Sequence, residues 1–164
     1  MRIRSEVMAS LSTWFVTYTV KPDWHVRWTY EVEQKYSGDA VFAALCRREY
    51  RELTLAHKRL RRAGHNFRFV AVTERHKSGW PHFHVLYHQI VPSLTTRVLA
   101  GNRFEGVEPM AWPFGFVSAK LVRQDIEQEV SPVVGYIAKY LVKSPDAQIR
   151  ASLHYGLGPG AATG

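Results

Sequence analysis

A single cysteine, Cys46, rules out an intramolecular disulfide in this 164-residue chain. That economy fits a reducing cytosol. No apolar run reaches the ~20 residues that span a bilayer. Residues 1–10 carry charges with no apolar stretch behind them, which is not the build of a secretion signal. There is no internal repeat and no low-complexity linker, so one domain of ordinary size is expected. The phosphate-cradling pattern G-x-x-x-x-G-K-[ST] is also missing, which argues against nucleotide hydrolysis of that kind. Acids are scarce: 14 Asp and Glu face 22 Lys and Arg, a net charge of +8. Such an excess suits a polyanionic partner, nucleic acid or an acidic membrane surface, although a basic soluble domain with no such partner would look the same.

Apolar residues are plentiful at 46%, with 13% aromatic, and their spacing divides the chain. Phe15 to Val20 is β-branched and aromatic and predicts a strand, ended by Lys21-Pro22-Asp23. Trp24 to Glu33 is ambiguous. From Asp39 to Arg62, Phe42, Leu45, Cys46, Glu49, Leu53, Ala56 and Leu60 recur at steps of three and four, which predicts a long helix. Ser37 or Asp39 can cap its start and Gly64 can follow its end. The remaining positions carry Arg47, Arg48, Arg51, Arg59 and Arg62, either a solvated face or a phosphate-binding one. Phe67 to Glu74 and His82 to Ile90 predict two strands of a hairpin, joined by the turn-forming residues 75–81 with Arg75 and Lys77. Leu94 to Ala100 predicts a short helix, 101–113 a loop, and Phe114 to Val122 a strand. Ser131 as cap, Pro132 at the first helical position and Pro145 as stop predict a helix over 131–143. Helices between hairpin-connected strands favour an α+β fold with an antiparallel sheet. Residues 1–10 are expected as a loose arm, 11–144 as the domain, and 145–164 as a flexible tail.

Two patterns carry chemistry. His82 and His84 alternate on one strand and so share a face. If the hairpin closes symmetrically about residue 78, Glu74 stands opposite His82. A slip of one residue would turn Glu74 away. Two imidazoles and one carboxylate make a three-ligand, open-sided site suited to Mn²⁺ or Mg²⁺; a structural zinc site is disfavoured, because one cysteine cannot furnish the usual thiolates. His76 and His88 are read as bystanders. The second pattern is Tyr136, Lys139, Tyr140 and Lys143, spaced i, i+3, i+4, i+7 along one helical stripe, with Val134, Ile137, Ala138 and Leu141 on the opposite one. Tyrosine ionises near pH ~10 and needs help as a nucleophile, which the two lysines and a bound cation would supply. Attack on DNA would exchange one phosphodiester for another, so no ATP is required.

In this order the patterns resemble the HUH endonucleases, specifically the replication initiators of rolling-circle replicons. The match is nearest to those of microvirus-like single-stranded DNA bacteriophages. Phe15-Val16-Thr17-Tyr18-Thr19 resembles the first motif of that family. Trp80-Pro81-His82-Phe83-His84-Val85-Leu86 resembles the histidine motif, with Glu74 where some members place a third ligand. Tyr136-Ile137-Ala138-Lys139-Tyr140-Leu141-Val142-Lys143 resembles the two-tyrosine motif. The resemblance spans about residues 13–143. It implies a five-stranded antiparallel sheet with flanking helices, an arrangement like that of RNA-recognition-motif domains. It implies nicking of an origin strand or origin hairpin in single-stranded DNA, a 5′-phosphotyrosine link, and a free 3′-OH for a host polymerase. Tyr136 and Tyr140 would act in turn. Without a helicase segment, a host helicase would be a partner, and the bacterial cytoplasm the setting. Two other readings stay open: a single-strand transposase of the same superfamily, and a non-catalytic single-strand binder.

Overall fold

The computed structural model describes residues 2–100, 112–143, 148–153 and 155–156, with the side chains of 100 and 140–143 outside that description. It is an α+β fold: a five-stranded antiparallel sheet of order β4-β1-β3-β2-β5, with helices on both faces. The strands are β1 Ser12–Val20, β2 Phe67–Arg75, β3 Pro81–Gln89, β4 Gly115–Val122 and β5 Gln148–Ala151. The helices are α1 Arg2–Ala9, α2 Pro22–Glu33, α3 Ala40–Arg62, α4 Thr96–Ala100 and α5 Glu127–Lys143.

Alternation along the strands builds two cores. Val16, Tyr18, Phe69, Ala71, Phe83, Val85 and Tyr87 face one way and pack with Trp28 of α2 and Leu45, Leu53 and Leu60 of α3. Val70, Val72 and Leu86 face the other way and pack with Ile3 and Val7 of α1 and Val130, Val134 and Ile137 of α5. The first core carries a buried polar chain. His57 Nε2 meets the Tyr87 hydroxyl at 2.7 Å, and that hydroxyl meets Tyr18 at 2.8 Å.

The long helix buries the residues its spacing names: Phe42, Leu45, Cys46, Glu49, Leu53, Ala56 and Leu60. Asp39 precedes it without a side-chain cap, and Gly64 follows at φ +92°. The ambiguous stretch after β1 is α2. Pro22 starts it, where a missing N–H costs nothing, and His25, Trp28 and Val32 are its buried stripe. The tyrosine helix starts earlier than its proline suggests. Pro132 lies inside α5, and Ser131 donates to Glu127 Oε1 at 2.7 Å instead of capping. Burial of Val130 against the sheet carries the helix through the lost backbone bond.

Both chain ends differ from expectation. Residues 2–9 are helical, not a loose arm, because Ile3 and Val7 cover the second core. Buried Glu6 reaches Arg68 at 3.3 Å and accepts from the Gly156 backbone N–H at 2.7 Å. Within the expected flexible tail, 148–151 pair with β2 as the fifth strand, and Tyr155 shares a 2.8 Å hydrogen bond with His88 Nε2. The expected loop over 101–113 and most of the Gly/Ala-rich end lie outside the described residues.

Candidate metal and nucleophile site

The hairpin closes as symmetry about residue 78 requires, and Glu74 pairs with His82. The backbone of His76 donates to the Trp80 carbonyl at 2.8 Å, and Gly79 takes φ +86°, a conformation that side chains resist. β3 therefore delivers His82 and His84 to the face that carries Glu74. The ligand atoms of all three lie within 4.8 Å of one another, a group that can hold a metal ion.

The donor set fits a cation. His82 Nε2 is buried and has no hydrogen-bond partner. Burial, with His84 and His76 beside it, pushes this imidazole down to about 4. Burial lowers His84 as well, against the raising effect of Glu74. Both rings are thus neutral near pH 7, the form a metal accepts. His84 Nδ1 lies 3.0 Å from the Thr17 hydroxyl, and its Nε2 lies 3.0 Å from Glu74 Oε1. When Thr17 accepts from Nδ1–H, the Nε2 lone pair faces the carboxylate, and a cation between them would satisfy both.

Helix α5 brings the nucleophile candidate to the same point. The Tyr136 hydroxyl donates to Glu74 Oε1 at 3.1 Å and lies 3.0 Å from His84 Nε2. Phe15 fixes the rings, stacked on His84 at 5.8 Å and edge-on to Tyr136 at 5.7 Å. Lys139, one turn on, holds its Nζ 5.8 Å from the Tyr136 ring. The tyrosine is half-buried and leans on the second core instead of standing clear of it. Tyr140 and Lys143 lie on the same helix, but their side chains are outside the described residues.

The basic candidates do not converge here. Helix α3 packs on the opposite face of the sheet, in the core of Tyr18 and Tyr87. Arg48 is held by Glu31 and Glu52, Arg47 lies over Tyr36, and the Arg75 guanidinium sits 3.7 Å from the Phe42 ring centroid. Arg51, Arg62 and Lys77 are exposed, and Arg59 is half-buried. His88 is buried between Thr13 and Tyr155, away from the triad. His76 is nearer than a bystander need be, its ring 5.0 Å from His82, yet it bonds Ser78.

Three contributors have roles that no spacing in the sequence announces. Phe15 and Thr17 lie in the stretch that resembles the first motif of the family, but their contact with His84 needs the β1–β3 register to be seen. His25 stacks on Trp80 at 4.4 Å and pairs with buried Glu49 at 2.7 Å, bracing the turn that precedes His82. Burial raises the Glu49 carboxyl against the lowering pull of His25.

No curated protein matches the chain. A family pattern does, and its span runs from within β1, across the histidine strand, to just past the tyrosine helix. Covering residues 13–145, that match makes the chain a member of the replication-associated protein ORF2 family.

Proposed function

We propose that the protein nicks and rejoins single-stranded DNA at a replication origin through a 5′-phosphotyrosine intermediate. In this reading it is a rolling-circle initiator of the two-tyrosine HUH class, similar to those of microvirus-like phages. The observation that carries the proposal is the Tyr136 hydroxyl, which touches two of the three candidate metal ligands at 3.0 and 3.1 Å. A phenol held there has no structural need of an open-sided ligand set, and the ligand set has no need of a phenol; strand transfer needs both. Membership of a replication-associated family supports DNA as the partner.

Glu74, His82 and His84 would hold Mn²⁺ or Mg²⁺. When bound, the cation polarises a phosphodiester oxygen and offsets charge that develops on the phosphate. Tyr136 Oη forms a bond to phosphorus as the bond from phosphorus to the 3′ oxygen breaks. The phenolic proton ends on that oxygen, which leaves a 3′-OH for a host polymerase. Phosphoester bonds are conserved in number, so the step reverses, and a 3′-OH can reclaim the strand. Lys139 brings positive charge beside the tyrosine through the exchange. Tyr140, one turn further along α5, is the nucleophile that the spacing offers for the second transfer. Strand opening would fall to a host helicase.

The test incubates the protein with circular single-stranded DNA and Mn²⁺ and resolves covalent adducts on a denaturing gel. Tyr136→Phe together with Tyr140→Phe abolishes the adduct. His82→Ala abolishes nicking and weakens Mn²⁺ binding measured by calorimetry. An adduct that persists in the double variant overturns the proposal.

A further inference from the structure

Antiparallel register lines up side chains in rows across the sheet. Tyr18 pairs with Phe83, so Thr19 stands opposite His82 one step on. Thr19 pairs with Phe116, and His82 pairs with Glu74. One row on the triad's face therefore reads Phe116, Thr19, His82, Glu74, from edge strand β4 inward. The adjacent row reads Ser118, Thr17, His84, Val72. Strands lie about 4.8 Å apart, which sets Phe116 roughly 10 Å from His82 along its row.

Among the described residues, helices α1 and α5 cover the inner part of this face and leave its outer end open. Phe116 is 69% exposed, and Ser118 and Lys120 beyond it are exposed too. Lys21 reaches over the phenyl ring, its Nζ 5.8 Å from the centroid. Among the described residues neither Lys21 nor Lys120 forms an ion pair. A bare aromatic ring on an edge strand is a liability for solubility and aggregation. Here it stands in line with the reacting centre, with the Lys21 cation over its ring.

We propose that Phe116 is the stacking platform for one base of the substrate strand, beside the reacting phosphate, with Lys21 holding a neighbouring phosphate. The proposal rests on the reading of the site as one for single-stranded DNA. The roughly 10 Å from His82 to Phe116 places the platform a short way along the strand from the reacting phosphate. Lys21 matches a polyanion, and a phenyl ring accepts any base because every base has a π face. Duplex DNA does not fit this platform, since its bases are stacked on one another and a ring on a sheet surface reaches only their edges. Phe116 thus holds the strand in place without reading its sequence.

Binding measured without cleavage separates this inference from the nicking chemistry. The full chain, with chelator present, is titrated by fluorescence anisotropy against oligo(dT) and against an equally long, fully abasic strand. Phe116→Ala weakens oligo(dT) binding about tenfold and leaves the abasic strand unchanged. Phe116→Trp restores the parent affinity, which separates stacking from a disturbed edge strand. Lys21→Ala weakens both ligands and shallows the salt dependence by roughly 0.7 in the log–log slope. The inference fails if Phe116→Ala binds oligo(dT) as the parent does, or loses both ligands equally. Loss of nicking with this base-dependent coupling intact would discard only the proposed chemistry; the reverse result would discard only the platform.

Discussion

Thr17 tests how finely the site is tuned. Its hydroxyl is 3.0 Å from His84 Nδ1 and so decides which imidazole nitrogen offers a lone pair to the cation. Thr17→Val keeps the β-branched shape on the strand and removes only that oxygen. Metal affinity should fall about 10- to 100-fold, read by Mn²⁺ calorimetry, with the melting profile of the metal-free protein little changed. Unchanged affinity would mean that the ring is oriented by Phe15 stacking alone. Glu74, His82 and His84 are legible in the sequence because strand alternation and a symmetric turn are counting rules. The role of Thr17 is not, although its strand resembles a family motif, because its partner lies 67 positions away and only the β1–β3 pairing brings them together. Phe116 is hidden for the same reason, since its exposure depends on which strands flank β4.

The elements divide by how much of their shape is local. Helix α3 is legible nearly to the residue because seven apolar-face positions repeat over 23 residues. Helix α2 is not: Val26, Thr29, Tyr30 and Val32 favour a strand by intrinsic preference, and packing of Trp28 and His25 against the first core overrides it. Strand β5 has four residues, too few for a period to show, and exists because β2 offers a free edge. Helix α1 is held to the sheet by Ile3, Val7 and a buried ion pair, and to α5 by Arg4 on Glu127. Glu6 is 2% exposed and faces Arg68 from another element. Glu6→Ala takes the carboxylate away from that buried guanidinium, and urea unfolding should report a loss of about 1.5–3 kcal/mol. The same carboxylate accepts from Gly156, so the variant should also loosen the C-terminal segment, seen as faster amide exchange at Gly156 and Tyr155. A chain trimmed to 11–144 would discard both layers at once. A loss well under 1 kcal/mol in Glu6→Ala would show that the ends are ornaments on the sheet.

Stability of the protein as a unit should depend on pH through its buried histidines. His57 lies in one core and His88 in the other, and burial pushes each down to about 3. His82 goes down to about 4 for the same first reason. An imidazole whose folded pKa is depressed binds its proton more readily in the unfolded chain. Between about 3 and the ordinary 6.5, unfolding therefore takes up protons, and folding stability rises with pH across that window. The contribution is complete above 6.5 and is lost as pH falls towards 3. Each such group costs about 1.4 kcal/mol per pH unit inside the window. Glu49, raised by burial, works the other way and favours the folded state at lower pH, but it is one carboxyl against several imidazoles. The melting temperature should thus be flat from about pH 8 to 7 and drop steeply from about 6.5 to 5. His88→Gln, which keeps a polar partner for Thr13 and Tyr155 without a titrating ring, should start lower near pH ~7 and fall less steeply. Parallel slopes in parent and variant would mean that His88 stays uncharged in the unfolded chain or open to water in the folded one. Such a result would contradict its place between β1 and the C-terminal segment, where the sheet's second core is closed.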